Sequence, residues 1–224
     1  MMKNTIQDHF KKMTFIAFFF LGFLIYAQAL QNPFVMDDEI QILGNTHIQT
    51  LHEWPSFFTS SSMGSGGGEK MGGVYYKPLM TTYYAVVWHF FGPDPMAFRL
   101  PLLFIFILSA YLIFLFSLSF LPWEHGFFLG VICLLHPVNS EVVLYIADAQ
   151  DVLYFFFGIL SLYSLSKIEN QMFLFGVLSI LFSLGLLSKE TGGLFLGVGC
   201  VYAILFQRSK LKVVLSSAIL VGLL

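Results

Sequence analysis

Residues 97–121 read AFRLPLLFIFILSAYLIFLFSLSFL, and Arg99 is the one charged side chain among them. A helix needs about 20 apolar residues to cross a bilayer, so this stretch predicts a transmembrane helix. Five more apolar runs cover roughly 13–30, 126–138, 142–166, 171–188 and 191–206. A seventh run begins after Lys212 and is only twelve residues long when the sequence stops at Leu224. We therefore expect six complete spans and a chain that is a C-terminally truncated fragment.

The composition favours a lipid environment for most of the chain. Hydrophobic residues make up 57% of the 224 residues and charged residues 11%, whereas a soluble domain carries about 25% charged residues. The sequence thus predicts an all-α fold, a polytopic transmembrane helix bundle with the lipid bilayer as its surroundings, forming a single domain over 1–224. The net charge of −2 gives no reason to expect a nucleic-acid partner. Cys133 and Cys200 lie inside apolar runs and are expected to be packed thiols.

Basic residues near the ends of the spans predict the orientation of the bundle, because cytoplasmic loops are enriched in Lys and Arg. With a cytoplasmic N-terminus, seven basic residues fall inside and four fall outside. Residues 31–96 then form a large first outer loop, on the periplasmic, extracellular or luminal side. The first apolar run has a second interpretation as a secretory signal peptide, since Ala27-Gln28-Ala29 is typical of a cleavage site.

Two parts of the predicted outer loop have distinct compositions. Ser60 to Gly73 contains six glycines and no apolar period, which predicts a mobile segment. Tyr83 to Phe91 is rich in aromatic residues and predicts a short helix near the membrane interface.

Acidic residues at predicted span ends are the first candidates for chemistry. Asp37, Asp38 and Glu39 follow the first span directly, and three adjacent negative charges repel unless a metal ion or a shared proton relieves them. A solvated charge cluster at a helix end is the alternative. Asp148 and Asp151 lie in an apolar run, where carboxylates usually face a polar cavity or a partner.

The turn before those two aspartates adds further candidates. It reads His136-Pro137-Val138-Asn139-Ser140-Glu141. Glu141 and Asp148 are seven residues apart, which places them on one face of a continuous helix, with Asp151 one turn further on. Alternatively this helix starts late, and both aspartates are loop residues.

Lys189 and Glu190 occupy the outer turn between the fifth and sixth runs. A lysine on this side breaks the inside-positive pattern, and an anionic ligand such as a lipid phosphate would explain it. The alternative is a surface ion pair between the two residues. All of these candidates fall on one predicted face of the membrane, which indicates a shared polar cavity there.

Four stretches in order resemble the C-type glycosyltransferase superfamily, whose members take sugar from a polyprenyl-phosphate donor. The stretch from Phe34 to Asp38 is similar to the acidic motif of the family's first outer loop, and Tyr76-Lys77-Pro78-Leu79 to its Tyr-Arg-Pro-Leu. The turn from His136 to Glu141, followed by Asp151, is similar to its His-Pro-x-x-(Ser/Thr)-Glu motif, and Leu187-Ser188-Lys189-Glu190 to its Ser-Lys-Glu turn. The likeness is strongest to protein O-mannosyltransferase-like members with tetratricopeptide repeats.

The resemblance implies a mechanism and a set of roles. Asp38, slightly ahead of Asp37, would be the base that deprotonates a hydroxyl of a protein or glycan acceptor. Lys77 and Lys189 would bind the donor phosphate, and the transferred sugar would be mannose-like. A divalent metal, Mg or Mn, on Asp37 and Asp38 stays open. Supporting roles would fall to Glu39, His136, Glu141, Asp148, Asp151 and Glu190.

The sequence also departs from the family, and two other functions remain open. Lys77 replaces an arginine, which exchanges a bidentate phosphate contact for a point charge, and Ala149 stands where the family often has arginine. The repeats are absent from the sequence. The alternatives are a membrane transporter and a non-catalytic membrane scaffold or fragment.

Overall fold

A computed structural model describes residues 2–59, 61–62 and 76–222, with side chains described from residue 8 onward. The predicted mobile segment, Ser60 to Gly73, lies outside the described residues except for Ser61 and Ser62. The described part is helical and contains no strand, which confirms the all-α prediction. Its helices are α1 (Met2–Tyr26), α2 (Pro78–Phe91), α3 (Pro95–Ser117), α4 (Trp123–Leu135), α5 (Glu141–Leu144), α6 (Ala149–Lys167), α7 (Gln171–Ser188), α8 (Leu194–Phe206) and α9 (Leu211–Gly222).

Four described segments are long and apolar enough to cross a membrane: Asp8–Gln31, Pro95–Ser117, Ile146–Lys167 and Gln171–Ser188. A fifth results if Trp123–Leu135 and Pro137–Leu144 are one span bent by 54°. The bend falls at Pro137, which has no N–H to continue the helix and holds the preceding His136 in an extended conformation. The described residues therefore contain four or five helices of spanning length, fewer than the six expected, and the sixth run forms only the 13-residue α8.

Helix α3 is the centre of the first half of the bundle. It packs against α1, α4 and α6, and α6 in turn packs against α7 and α8. The core around α3 is made of fully buried apolar side chains: Phe98, Leu102, Leu103, Ile107 and Ala110. Other apolar side chains point outward, for example Leu24 at 82% exposure and Met172 at 84%. Such surfaces are consistent with contact to lipid.

The segment between α1 and α2 contains short helical turns only, in its described part. A π-helical turn spans Glu39–Leu43, and 3-10 turns span Thr46–Gln49 and Leu51–Phe58. Both 3-10 turns pack against α2. The helix predicted at Tyr83 is confirmed, and it begins earlier, because Pro78 suits the first turn of a helix. It ends at Gly92, whose φ of 65° favours glycine.

The alternating directions of the helices give the bundle two polar ends. At one end, which we call the basic end, the Lys11 carbonyl accepts from Tyr111, Lys167 donates to Ser119, and Lys210 donates to the Leu165 carbonyl and to Glu169. At the opposite end, α1, α4 and α7 finish while α3 and α6 begin. The candidate residues lie at this second end, which we call the site end.

Candidate functional site

The site end is organised by a break in the fourth apolar run. The chain is helical over Glu141–Leu144, extended at Tyr145 (φ −111°, ψ 110°) and in a 3-10 turn over Ile146–Asp148. Helix α6 then starts at Ala149. The expectation that Glu141 and Asp148 stack on one continuous helical face is therefore wrong, because the chain leaves the helix between them. The alternative of a late start holds for Asp148, which is the residue before α6, but Asp151 lies in the first turn of α6 and is not a loop residue.

Asp38 is a buried anchor for the loop that follows α1. Its side chain is 0% exposed. Oδ1 accepts from the Ala147 N–H at 2.7 Å, and Oδ2 accepts from the Val35 N–H at 3.2 Å. Burial raises the pKa of the Asp38 carboxyl, while these hydrogen bonds and the charge of Arg99 act in the opposite direction. The carboxylate is thus engaged on both oxygens and closed to solvent.

Arg99 ties three chain segments together beside Asp38. It is 0% exposed, and its Nη2 lies 3.7 Å from Asp38 Oδ2. It also donates to the carbonyls of Asn32, Pro33 (2.6 Å) and Leu144 (3.1 Å). A buried guanidinium needs several acceptors to offset its lost hydration, and these carbonyls supply them. Arg99 therefore fixes the start of the loop and the break before α6 against α3.

Asp37 has the opposite environment to its neighbour. It is exposed, and its backbone N–H donates to the Tyr145 hydroxyl at 3.0 Å. The preceding residue, Met36, has a φ of 51°, a left-handed conformation that is uncommon for a side chain of this size. Strained conformations of this kind concentrate at functional sites. The turn sends the carboxylates of Asp37 and Asp38 in different directions, one to solvent and one into the core.

A second cluster surrounds Lys189, the residue that follows α7. Lys189 Nζ lies 2.6 Å from Asp151 Oδ1 and 5.8 Å from the centre of the Tyr154 ring. Burial alone would lower the pKa of Lys189, but the hydrogen bond to Asp151 and the nearby negative charges raise it above the ordinary value. The Lys189–Glu190 surface pair considered above is replaced by this Lys189–Asp151 pair.

Lys77 belongs to the same cluster. Burial lowers the pKa of Lys77 below that of an ordinary lysine. Glu190 raises it, Lys189 lowers it, and Asp151 and Asp148 raise it. Two lysines and three carboxylates at the start of α2, at the start of α6 and just after α7 thus lie within electrostatic reach of each other.

Tyr84 connects the two groups of residues. Its hydroxyl donates to the Ile146 carbonyl at 2.8 Å. Burial raises the pKa of Tyr84, and the charges of Asp38 and Asp148 raise it further. The Asp37–Asp38 turn and the lysine cluster are therefore neighbours on either side of the break at Tyr145.

A cavity of about 150 Å³ opens beside the lysine cluster. Asp151, Tyr154 and Asn139 supply polar groups to its wall, and the remaining wall is largely apolar, including Phe106 and Phe155. Two buried oxygens next to the cluster in sequence, Gln150 Oε1 and Thr191 Oγ1, have no hydrogen-bond partner among the described residues. A mostly apolar cavity with a few polar groups is typical of a small-molecule site.

The remaining candidates line the rim of the site end. Glu39, Glu141 and Glu190 are exposed. His136 is exposed too, and its Nδ1 accepts from the Val138 N–H at 3.3 Å, which caps the turn after α4. The imidazole of His136 thus stabilises this turn.

A metal shared by Asp37 and Asp38 does not fit this geometry, because both oxygens of Asp38 are already engaged in the core. Across residues 8–59, 61–62 and 76–222, no group of three His, Cys, Asp or Glu side chains is arranged to hold a metal ion.

Sequence reasoning gave no role to three residues that the structure brings to the site: Arg99, Tyr145 and Tyr154. Arg99 could have been identified from the sequence, because it is the one charged residue in the apolar run 97–121. The two tyrosines carried none, since tyrosines are common in apolar runs near membrane interfaces.

Comparisons of the chain with protein-family models, with curated proteins and with solved structures gave no match in any of the three. The described residues define a helical protein with four or five apolar helices that could cross a membrane, and the Asp38–Arg99 and Lys189–Asp151 pairs lie together at its site end.

Proposed function

We propose that this protein is an integral membrane glycosyltransferase that moves a sugar from a polyprenyl-phosphate donor to a hydroxyl acceptor. The observation that carries the proposal is the pairing, at one end of the bundle, of an exposed carboxylate at Asp37 with a lysine cluster at Lys77 and Lys189. A base and a phosphate-binding cation are the two groups this reaction needs. The sequence resemblance supports the same assignment.

In the proposed reaction, Asp37 takes the proton of the acceptor hydroxyl as the oxygen attacks the anomeric carbon. A new carbon–oxygen bond forms, the bond from that carbon to the phosphate oxygen breaks, and the electron pair leaves on the polyprenyl phosphate with inversion. General-base catalysis typically contributes about 10²–10⁴-fold. We assign this role to Asp37 in preference to Asp38, because Asp38 is buried and both its oxygens are engaged.

The lysine cluster is assigned to the phosphate. Lys189 neutralises the developing negative charge on the leaving group, which is the usual role of a cation at this position, and Lys77 adds a second charge. In the structure Asp151 is the counter-ion of Lys189, at 2.6 Å. A phosphate must therefore compete with Asp151.

The proposed orientation, sugar and acceptor are those expected from the sequence. The N-terminus is placed in the cytoplasm, and the site end on the periplasmic, extracellular or luminal side. The basic end, with Lys11, Lys167 and Lys210, agrees with that orientation. The sugar is proposed to be mannose-like, and the acceptor a protein or a glycan.

A membrane transporter is the second candidate, and one observation favours it. The chain between α4 and α6 is discontinuous, with a 54° bend at Pro137 and an extended residue at Tyr145. Interrupted helices often form transport sites, but those sites lie near the midplane of the membrane. The polar groups here lie at one end, which favours the enzyme.

Transfer of radiolabelled sugar by the purified protein in nanodiscs tests the proposal. Polyprenyl-phosphate-linked sugars are offered with a hydroxyl acceptor, and the matching nucleotide sugars serve as the control donors. We expect transfer from the lipid-linked donor only. Transfer from nucleotide sugars alone, or sugar uptake by proteoliposomes without any transfer, contradicts the proposal.

A further inference from the structure

Asp37 and Asp38 are both held by residues 145–147, the short break before α6. The Tyr145 hydroxyl accepts from the Asp37 N–H at 3.0 Å, and the Ala147 N–H donates to Asp38 Oδ1 at 2.7 Å. These contacts join residues more than 100 positions apart in the sequence. The Asp38 contact is buried and anchors the loop. The Tyr145 contact lies at the exposed rim, on the residue that carries the free carboxylate.

The Tyr145 hydroxyl has a second interaction with Asp37. Besides accepting from the backbone N–H, the phenol lies close enough to the Asp37 carboxylate for that negative charge to act on it. Burial raises the pKa of Tyr145, the Asp37 backbone contact lowers it, and the Asp37 carboxylate raises it. The phenol thus bonds to the backbone of Asp37 and lies within electrostatic reach of its carboxylate.

An exposed aspartate in a loop needs such a contact to hold one orientation. Met36, just before it, has a φ of 51° and is 79% exposed, so no packing at that residue fixes the turn. Asp38 and Arg99, on the other side, are fully buried and fix only the base of the loop. Tyr145 is the described side chain from outside the loop that bonds directly to Asp37.

We propose that Tyr145 is a positioning residue that holds Asp37 in the orientation required of the general base; this role rests on the proposed function. Tyr145 itself exchanges no proton with the substrate. Its phenol oxygen restrains Asp37 by accepting from the backbone N–H, while the acceptor proton goes to the exposed Asp37 carboxylate.

The test is Tyr145→Phe, with Tyr26→Phe as the matched control. Tyr26→Phe also removes a phenol hydroxyl, but this hydroxyl donates to the Leu134 carbonyl at 2.7 Å instead of accepting from Asp37. A small misplacement of a catalytic group costs up to about 10²-fold in rate. We expect Tyr145→Phe to lower kcat by roughly 10–100-fold with the KM for the donor unchanged, and Tyr26→Phe to retain near-normal kcat per folded molecule.

Acceptor acidity provides a readout that a merely structural role would not change. Weakly acidic alcohols need the base most, and more acidic hydroxyls such as phenols need it less. The loss in Tyr145→Phe should therefore shrink as the acceptor becomes more acidic. An equal loss with every acceptor, or a normal kcat, overturns the positioning role.

Hydrogen exchange separates failure of this inference from failure of the proposed function. The Asp37 amide should exchange slowly in the wild-type protein and in Tyr26→Phe, and quickly in Tyr145→Phe. Fast exchange in the wild type overturns the inference even when sugar transfer is normal. Slow exchange in a wild type that transfers no sugar overturns the proposed function, and the positioning role with it, and leaves a purely structural contact.

Discussion

Replacing Asp38 by asparagine preserves the size of the side chain but removes one of the two carboxylate oxygens that anchor the loop after α1. Asp38 accepts from Ala147 on one oxygen and from Val35 on the other, with Arg99 3.7 Å from the second. An asparagine has only one oxygen. Whichever way its amide is turned, its NH₂ group faces a backbone N–H that loses its acceptor.

The size of the effect follows from burial. Asp38 is 0% exposed, so water cannot replace the lost acceptor, and a buried donor without a partner costs about 1–3 kcal/mol. For a chain of this size, 1 kcal/mol changes the melting temperature by about 2–4 °C. We therefore expect Asp38→Asn to melt roughly 2–12 °C below the wild-type protein. Asp37→Asn, at an exposed position, should change stability by less than about 0.5 kcal/mol.

Thermal unfolding in nanodiscs, followed by circular dichroism, measures the difference between the two variants. The reasoning is refuted if Asp38→Asn melts with the wild type, and equally if Asp37→Asn is the less stable of the two. Either result would mean that Asp38 is not the buried, doubly bonded carboxylate described above.

The lysine cluster yields two further predictions, both measured by binding of a polyprenyl phosphate. Because burial lowers the pKa of Lys77, its positive charge is lost at a lower pH than that of an ordinary lysine. As the pH rises, the affinity for phosphate should therefore begin to fall below the pH at which an ordinary lysine loses its charge. Lys77→Arg, which stays charged, should reduce that fall. An identical pH profile in Lys77→Arg argues against a phosphate contact. Asp151→Asn removes the counter-ion of Lys189 and should tighten binding several-fold, whereas Lys189→Met should weaken it; weaker binding in both would show that Asp151 supports the site.

Apolar length and composition predicted the main helices, because the need for a run of about 20 apolar residues is strong and local. The same signal overcounted complete spans where the run was interrupted or short. Pro137 lies inside the third run and breaks it for a reason visible in the sequence. The sixth run was read as a span but yields a 13-residue helix.

The break at Tyr145 was not visible in the sequence. The run 142–166 contains no proline, and its first glycine is Gly158. Contacts from distant residues accompany the break: the Tyr145 hydroxyl to Asp37, the Ala147 N–H to Asp38, and the Leu144 carbonyl to Arg99. Local propensity is a weak prior that tertiary contacts override, and the pattern in residues 141–151 alone left a continuous helix and a late helix start both open.

The sequence grouped the candidate residues on one face of the membrane, and the resemblance gave them roles, with Asp38 slightly ahead of Asp37 as the base. Asp37 and Asp38 are adjacent, and the sequence offered no way to tell the solvent-facing carboxylate from the buried one. That choice depends on the φ of Met36 and on partners more than 100 residues away. Lys189 was noticeable because it broke the charge asymmetry of the loops, whereas its partner Asp151, 38 residues away, had no spacing signal.

The most direct test of the proposed mechanism is sugar transfer by Asp37→Asn, measured with a polyprenyl-phosphate-linked sugar and an alcohol acceptor and expressed per folded molecule. Glu124→Gln is the control, because Glu124 is an exposed carboxylate in the first turn of α4, at the basic end. If Asp37 is the general base, its variant should lose at least about 10²-fold in kcat, with unchanged stability, while Glu124→Gln keeps wild-type activity. Near-normal transfer by Asp37→Asn would contradict the account.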